Sequence, residues 1–198
     1  MDTNLFWWIN RFATRTGWAH GFFTAYANYG IVLFAALLIA TYLGARHHGD
    51  LRALVGSVWA AAAALIALGI GQLIGGTIDR VRPYEAMSGV HLLIARTSDF
   101  SFPSDHATAV GAVAVGLLFT DKRWGTIGAV LAVAMALTRV YVGAHYPSDV
   151  LVGLALGAFV AAGGVYVVVP QLTRAAAWIN RTAVRALVSC EPRATDEI

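Results

Sequence analysis

The sequence predicts an all-α integral membrane protein, a bundle of about five transmembrane helices with amphipathic helices at both ends. Hydrophobic residues make up 58% of the 198-residue chain, whereas Asp, Glu, Lys and Arg make up only 13%, about half the usual share in a soluble domain. Several apolar runs also approach the roughly 20 residues that cross a bilayer. We therefore treat residues 1–198 as a single membrane domain, with an interfacial helix (1–18), a core (20–170) and an amphipathic tail (171–198).

The first 18 residues predict a helix that lies in the membrane interface and does not cross it. The apolar positions Leu5, Trp8, Ile9 and Phe12 recur at helical spacing, and polar residues such as Asn10 separate them. An apolar stripe opposite a polar face is typical of helices that lie in the interface plane.

Five apolar segments follow and are expected to span the membrane: 21–45, 53–78, 104–120, 125–142 and 147 to about 169. The second is rich in Ala and Gly, whose small side chains let helices approach closely in lipid. Pro147 suits the first turn of the last span. The loop at 79–103 is long for a compact membrane protein, and such loops are commonly functional.

Five spans place the turns at 46–52 and 121–123 on the same side as the C-terminal tail. This side carries the larger set of basic residues, namely Arg46, Arg52, Lys122, Arg123, Arg174, Arg181, Arg185 and Arg193. Short cytoplasmic segments carry an excess of Lys and Arg, so this side is predicted to be cytoplasmic. The long loop and His145 are then expected on the outer face.

Three polar clusters fall at helix ends on that outer side, where ionisable residues next to hydrocarbon indicate function. They are Arg82-Pro83, then Pro103-Ser104-Asp105-His106, then Arg139 with His145 and Asp149. Two arginines offer planar donor forks that match phosphate oxygens. Ser104 adds a hydroxyl at a helix N-terminus, where free amides favour an anion. The combination predicts a phosphate-binding cradle.

Two histidines beside a bound phosphate predict nucleophilic catalysis with a separate acid. Asp149 is close enough in sequence to hydrogen-bond His145, fix its tautomer and stabilise the positive ring that forms on attack. His106 comes from a different helix and is expected to protonate the leaving oxygen and later to accept a proton from water. The arginines would stabilise the transferring phosphoryl group. This scheme requires neither a metal nor a cofactor.

The ordered motifs R-P, F-P-S-D-H-A and R-V-Y-V-G-A-H-Y-P-S-D-V resemble those of the type 2 phosphatidic acid phosphatase superfamily. Within it, the short length and the long loop resemble the bacitracin-resistance branch, the undecaprenyl-diphosphate phosphatases. The resemblance covers about residues 20–170. It implies that His145 is the nucleophile, Asp149 its partner and His106 the acid-base. It also implies that phosphate is bound by Arg82, Ser104 and Arg139.

The chain departs from the family pattern at three positions. Gly75 stands where the first motif usually opens with a lysine, Thr138 where serine is common, and Asp105 where many members have glycine. Arg80 is a possible replacement for the lysine as a phosphate ligand, and Asp105 is a possible site residue that favours the diphosphatase branch. The loop residues Glu85, His91, Arg96 and Asp99 are interpreted as solvated.

The resemblance implies hydrolysis of undecaprenyl diphosphate at the outer face of a bacterial inner membrane. The alternatives keep the chemistry and change the lipid to phosphatidylglycerophosphate, phosphatidate or a polyprenyl monophosphate sugar, because the cradle contacts only the phosphate. A third hypothesis is a lipid-phosphate binder without catalysis, which leaves the two histidines unexplained. Expected partners are a polyprenyl or glycerolipid phosphate and membrane lipids, with no nucleic acid.

Overall fold

The computed structural model describes residues 1–179, and within this range the chain is helical and contains no strand. The prediction of an all-α membrane bundle is confirmed. The helices are α1 (Asp2–Arg15), α2 (His20–Tyr29), α3 (Ile31–His48), α4 (Leu51–Ile78), α5 (Pro83–Ala86), α6 (Asp105–Leu118), α7 (Lys122–Tyr141), α8 (Pro147–Val167) and α9 (Val169–Ile179).

Helix α6 is the centre of the bundle and packs against α4, α7 and α8. Ten of its 14 residues are buried. At 1.5 Å per residue it is about 21 Å long, shorter than the hydrocarbon core of about 30 Å. The helices α3, α4, α7 and α8 are long and apolar enough to cross a membrane. The predicted third span, 104–120, is therefore an inner helix too short to cross unaided.

The first predicted span, 21–45, is divided at Gly30 into α2 and α3. A Cβ atom at Gly30 would lie 2.5 Å from the Tyr26 carbonyl oxygen and 2.6 Å from the Met135 Cε atom. The absence of a side chain at Gly30 lets Met135 of α7 pack against the chain at this break. Helix α3 then continues three residues beyond the predicted end, and Gly49 closes it with a φ of 73°, a conformation that glycine adopts without steric cost.

Helix α1 does not contact the bundle through the whole of its predicted apolar stripe. Helix α1 buries Phe6, Asn10 and Ala13, whereas Trp8 and Phe12 from its apolar stripe are 67% and 54% exposed. This exposed stripe is available to lipid, and the interfacial position of α1 stays a prediction. Of the predicted tail, α9 accounts for residues up to Ile179. Residues 180–198 lie outside the described range.

Helices α6 and α8 pack with their backbones almost in contact. A Cβ atom added at Gly157 of α8 would clash with the Thr108 carbonyl oxygen and approach the Ala112 amide nitrogen to 2.6 Å. Both neighbours are backbone atoms of α6, so relief requires the helices to separate. Small residues at helix interfaces allow this kind of close approach in membranes.

We expect Gly157→Ala to destabilise the protein by about 1–3 kcal/mol, the usual cost of overpacking a close contact. The matched control is Gly163→Ala on the same helix, because nothing lies within 4 Å of a Cβ atom there. The measurement is the thermal unfolding midpoint of both variants in detergent. Equal midpoints for the two variants would contradict the close approach of α6 and α8.

Four helix ends meet at one end of the bundle. Helices α4 and α7 finish there, and α6 and α8 begin there. The segment between α4 and α6, which includes α5, covers the same end: the Ser101 amide donates to the Arg80 carbonyl oxygen, and the Leu93 amide donates to the Val142 carbonyl oxygen. The three polar clusters of the sequence are thus placed together.

Candidate active site

His145 occupies the turn between α7 and α8 and is 1% exposed. Gly143 makes this turn possible with a φ of 82°, and a Cβ atom there would lie 2.8 Å from the His91 carbonyl oxygen. After the turn, Pro147 opens α8, where its missing N–H leaves no helical hydrogen bond unmade. The ring of His145 is consequently held between two rigid helix ends.

A backbone carbonyl determines the tautomer of His145. Its Nδ1 atom lies 2.8 Å from the Ser101 carbonyl oxygen. A carbonyl oxygen only accepts hydrogen bonds, so Nδ1 carries the proton and Nε2 keeps its lone pair. That lone pair faces the Nη1 atom of Arg82 at 3.1 Å and the Nη2 atom of Arg139 at 3.5 Å. The unprotonated nitrogen of His145 therefore points at the two arginines.

The surroundings of His145 favour its neutral form. Burial lowers the pKa of His145 to about 4, the positive charges of Arg139 and Arg82 act in the same direction, and Asp149 opposes them. Because this value is well below 7, the Nε2 lone pair is available at neutral pH. An uncharged imidazole is the state required for nucleophilic attack.

Arg82 is 4% exposed and is held from several sides. Its Nη1 atom donates to the Ala144 carbonyl oxygen at 3.2 Å, and its Nε atom donates to the Asp99 carbonyl oxygen at 3.2 Å. Its Nη2 atom pairs with the Asp99 carboxylate at 2.9 Å. Burial raises the pKa of Asp99, but hydrogen bonding from Thr97 and the charge of Arg82 outweigh it, leaving that pKa below its usual value. Asp99 is therefore an ionised partner of Arg82, and its side chain is 49% exposed, which agrees with its interpretation as a solvated loop residue.

Arg139 and Ser104 have buried donor atoms without partners. Arg139 is 5% exposed and Ser104 is fully buried. Among the described residues, the Nε atom of Arg139 and the hydroxyl of Ser104 make no hydrogen bond, and no carboxylate lies within ion-pair distance of Arg139. Leaving a buried donor unsatisfied costs about 1–3 kcal/mol. Unpaired donors and a buried positive charge beside His145 together form a site suited to an anion.

Asp149 is fully buried, and both of its carboxylate oxygens accept hydrogen bonds. The Ser101 hydroxyl donates to Oδ2 at 2.6 Å and the Tyr146 amide at 2.9 Å, while Arg80 donates to Oδ1 at 2.6 Å. The distance from Oδ2 to the Nδ1 atom of His145 is 3.7 Å. The expected direct hydrogen bond from His145 to Asp149 is thus replaced by the one to the Ser101 carbonyl. Asp149 acts on the ring through its charge.

His106 lies in the first turn of α6, close enough to interact electrostatically with Arg139, His145 and Arg82. In the part of the chain that the structure describes, its ring makes no hydrogen bond, which leaves both nitrogens free for a substrate oxygen or water. The neighbouring Asp105 accepts from the Gln72 side chain at 2.9 Å on each carboxylate oxygen. Asp105 is therefore held at the start of α6 by α4.

Arg80 does not have the position expected of a phosphate ligand, because its guanidinium is committed to Asp2, Ser148 and Asp149. At Gly75, where the family pattern has lysine, a Cβ atom would lie 3.0 Å from the Phe102 carbonyl oxygen and 3.2 Å from the Phe100 ring. The loop before α6 packs into this space, which leaves no room for a lysine side chain.

Four polar residues around the predicted site were missed by the sequence analysis: Asp2, Asp99, Ser101 and Ser148. Ser148 lies inside the motif R-V-Y-V-G-A-H-Y-P-S-D-V and Ser101 directly precedes the motif F-P-S-D-H-A. Their small hydroxyls near a predicted catalytic carboxylate are a usable signal. Asp99 shares a loop with other charged residues, so nothing in its neighbourhood singles it out. Asp2 contacts a residue 146 positions away, and sequence spacing carries no information about such a contact.

Comparison with known proteins identifies the fold family. The profile of the PAP2 superfamily matches residues 56–173, more than half of the chain and all of the clusters at Arg82, Ser104 and His145. The chain belongs to the PAP2 superfamily. This PAP2 protein is 33% identical to the undecaprenyl-diphosphatase BcrC of Bacillus subtilis, over 63% of this chain and 62% of BcrC. It is 38% identical to the decaprenylphosphoryl-5-phosphoribose phosphatase of Mycobacterium tuberculosis, over 63% of this chain and 77% of that enzyme.

The fold of this PAP2 protein is also found in a solved structure. The crystal structure of LpxE from Aquifex aeolicus superposes with a TM-score of 0.65 and 25% sequence identity, covering 83% of this chain and 94% of LpxE. The alignments with undecaprenyl-diphosphatases and their BcrC relatives are more partial. There the chain spans about half the length of the curated relatives it matches, 47% to 62%.

Proposed function

We propose that this PAP2 protein is a membrane lipid phosphatase that transfers the terminal phosphoryl group of its substrate to His145 and then to water. The observation that carries the proposal is the pair of unsatisfied buried donors, the Arg139 Nε atom and the Ser104 hydroxyl, near the His145 Nε2 atom. Within the described range 1–179, the Nε atom of the buried Arg139 and the hydroxyl of Ser104 make no hydrogen bond, and they lie beside a histidine lone pair that faces two guanidinium groups. A tetrahedral phosphate supplies the acceptor oxygens that these donors lack.

In the first step, Arg82, Arg139 and Ser104 bind the phosphoryl oxygens and orient the phosphorus atom toward His145. The Nε2 lone pair forms the P–N bond while the P–O bond to the leaving group breaks, and the leaving oxygen takes the electron pair. His106 in its protonated form donates a proton to that oxygen where the leaving group is basic. The ring becomes positively charged, and the Ser101 carbonyl and the Asp149 charge stabilise it.

In the second step, water attacks the phosphohistidine. His106 in its neutral form accepts a proton from that water as the new P–O bond forms and the P–N bond breaks. It is neutral at this point either because it has given its proton to a basic leaving oxygen or, with a diphosphate, because it entered the reaction unprotonated. The electron pair returns to Nε2, inorganic phosphate leaves and His145 is neutral again. The arginines keep their positive charge throughout and stabilise the charge on the phosphoryl oxygens. No metal ion takes part in this scheme.

The substrate that we propose is undecaprenyl diphosphate. The likeness to BcrC of Bacillus subtilis and the Pro103-Ser104-Asp105-His106 motif support it. A second candidate is a polyprenyl-linked phosphate monoester, because the alignment with the mycobacterial decaprenylphosphoryl-5-phosphoribose phosphatase covers more of that enzyme. Both candidates present a terminal phosphate on a long isoprenoid lipid, and the cradle contacts only that phosphate.

We further propose that the protein lies in a bacterial inner membrane with its site on the outer face. The turns at the opposite end of the bundle carry Arg46, Arg52, Lys122 and Arg123. Short connecting segments on the cytoplasmic side of a membrane carry an excess of basic residues. The end of the bundle that holds His145 is therefore the outer end.

The test is phosphate release by the detergent-purified protein with EDTA present. The substrates are undecaprenyl diphosphate, decaprenylphosphoryl-5-phosphoribose, phosphatidate and phosphatidylglycerophosphate. We expect the highest kcat/KM on undecaprenyl diphosphate, with no loss of rate in EDTA. Preference for a different lipid in the panel would replace the proposed substrate and keep the chemistry.

The same panel separates an enzyme from a lipid-phosphate binder. A binder would retain the undecaprenyl diphosphate in a filter or flotation assay and release no phosphate from any of the four lipids. That result would overturn the proposed catalysis, because binding requires the arginines and Ser104 but neither histidine.

A further inference from the structure

A chain of charged groups connects the N-terminal helix α1 to the buried carboxylate beside His145. Arg80 stands in its middle: its Nη1 atom donates to Asp149 at 2.6 Å, and its Nη2 atom donates to Asp2 at 2.7 Å. The side chains of Arg80 and Asp2 are 29% and 28% exposed, and that of Asp149 is fully buried. The guanidinium thus bridges a carboxylate at the surface and one inside the site.

Asp2 also holds the first turn of α8. The Ser148 amide donates to its Oδ1 atom at 2.9 Å, and the Ser148 hydroxyl donates to its Oδ2 atom at 2.6 Å. Burial raises the pKa of Asp2, but the hydrogen bonds from Ser148 and Arg80 outweigh it and leave that pKa below its usual value. Asp2 is therefore ionised at neutral pH and combines a helix cap with an ion pair.

Two further contacts fix α1 against the site. The Phe6 ring is fully buried and lies 5.7 Å from the ring of Tyr146, centroid to centroid. The Asn10 amide group exchanges hydrogen bonds of 2.9 Å with the backbone N–H and C=O of His91 in the loop over the site. These contacts hold Asp2 at a defined distance from Arg80.

We propose that Asp2 is a positioning residue, which acts through Arg80 to hold Asp149 and preserve its charge beside the ring of His145. This inference rests on the proposed phosphatase function and assigns α1 a part in it. The PAP2 match begins at residue 56, so the family pattern gives α1 no role. The sequence likewise indicates only an interfacial helix there.

Asp2 is expected to influence catalysis because of its negative charge. Asp149 must stabilise the positive ring of His145 from 3.7 Å, and a single arginine at 2.6 Å would neutralise most of its charge. With Asp2 included, the group of three carries two negative charges and one positive charge, so a net negative charge remains. The ion pairs of Arg80 with Asp2 and with Asp149 also pull the guanidinium in opposite directions. Asp149 therefore keeps its hydrogen bonds from the Ser101 hydroxyl and the Tyr146 amide.

The test uses three substitutions of Asp2 in the full-length protein, assayed on the lipid phosphate that the wild-type protein hydrolyses fastest. Asp2→Asn keeps an acceptor oxygen for the Ser148 amide and removes the charge, whereas Asp2→Ala removes both. We expect kcat to fall about 10-fold in each, the scale on which small misplacements act. We expect KM to stay within about twofold because the cradle is untouched, and Asp2→Glu to recover part of kcat.

The matched control is Asn4→Ala, which alters an exposed side chain on the same helix and should keep wild-type kcat. Full activity in Asp2→Asn with loss only in Asp2→Ala would overturn the inference, since it would reduce Asp2 to a helix cap. A rise in KM equal to the fall in kcat, or loss of the folded protein's unfolding transition in Asp2→Asn, would also overturn it. A wild-type protein inactive on all the lipids would instead remove the proposed function, and this inference with it.

Discussion

Replacing His145 with alanine is expected to lower kcat by roughly 10³-fold or more, because the variant has no atom that can form the P–N bond. The cradle residues Arg82, Arg139 and Ser104 remain, so binding of the lipid phosphate should persist. The measurement combines single-turnover phosphate release with a binding assay on the same preparation. Loss of turnover with retained binding is the predicted signature of a missing nucleophile.

The control for this variant is His47→Ala, since His47 is exposed in the last turn of α3, at the opposite end of the bundle. It should turn over at the wild-type rate. If His145→Ala retained more than about a tenth of the wild-type kcat, direct attack by water would have to replace the histidine in the mechanism.

Replacing His106 with alanine is expected to affect two kinds of substrate unequally. A phosphate monoester such as phosphatidate expels a basic alkoxide that needs a proton, whereas undecaprenyl diphosphate expels a phosphate that departs readily without one. General acid catalysis contributes about 10²- to 10⁴-fold. The loss in kcat/KM should therefore be of this size for phosphatidate and much smaller for the diphosphate.

The parameter kcat/KM is the informative one because it reports the steps up to release of the leaving group. Loss of His106 as a base also slows hydrolysis of the phosphohistidine, which lowers kcat on both lipids equally. Equal losses of kcat/KM on both lipids, with chemistry shown to be rate-limiting, would contradict the assignment of His106 as the acid.

The all-α membrane class follows from composition and apolar run length, and it is confirmed. Two boundaries do not follow from them. The apolar run 21–45 is continuous in hydropathy, although the helix breaks at Gly30. The break is accompanied by a tertiary contact between Gly30 and Met135, and hydropathy carries no information about tertiary contacts. The run at 104–120 is apolar because α6 is surrounded by protein, and hydropathy does not distinguish a helix buried in protein from one buried in lipid.

The candidate site, like the fold, could be predicted only in part. Arg82, Arg139, His145 and Asp149 could be predicted because ionisable groups beside apolar runs are costly without a purpose. Ser104 could be predicted because it stands at a helix N-terminus, where an anion is favoured, and the fold gathers all five at one end. The groups that orient them could not be predicted as well. The proton on the His145 Nδ1 atom is set by the backbone of Ser101, and any residue has a carbonyl. Asp2 reaches the site only because α1 folds back over α8.

The most direct test of the mechanism is to trap the phosphorylated protein during turnover of terminally ³²P-labelled undecaprenyl diphosphate. His106→Ala is the variant to use, because it should form the phosphohistidine and hydrolyse it slowly. We predict a protein-bound label that survives alkali, is lost in acid and maps to the peptide containing His145, and that is absent when His145→Ala is added. Turnover without a protein-bound label, or a label that persists in the double variant, would contradict the role of His145 as nucleophile.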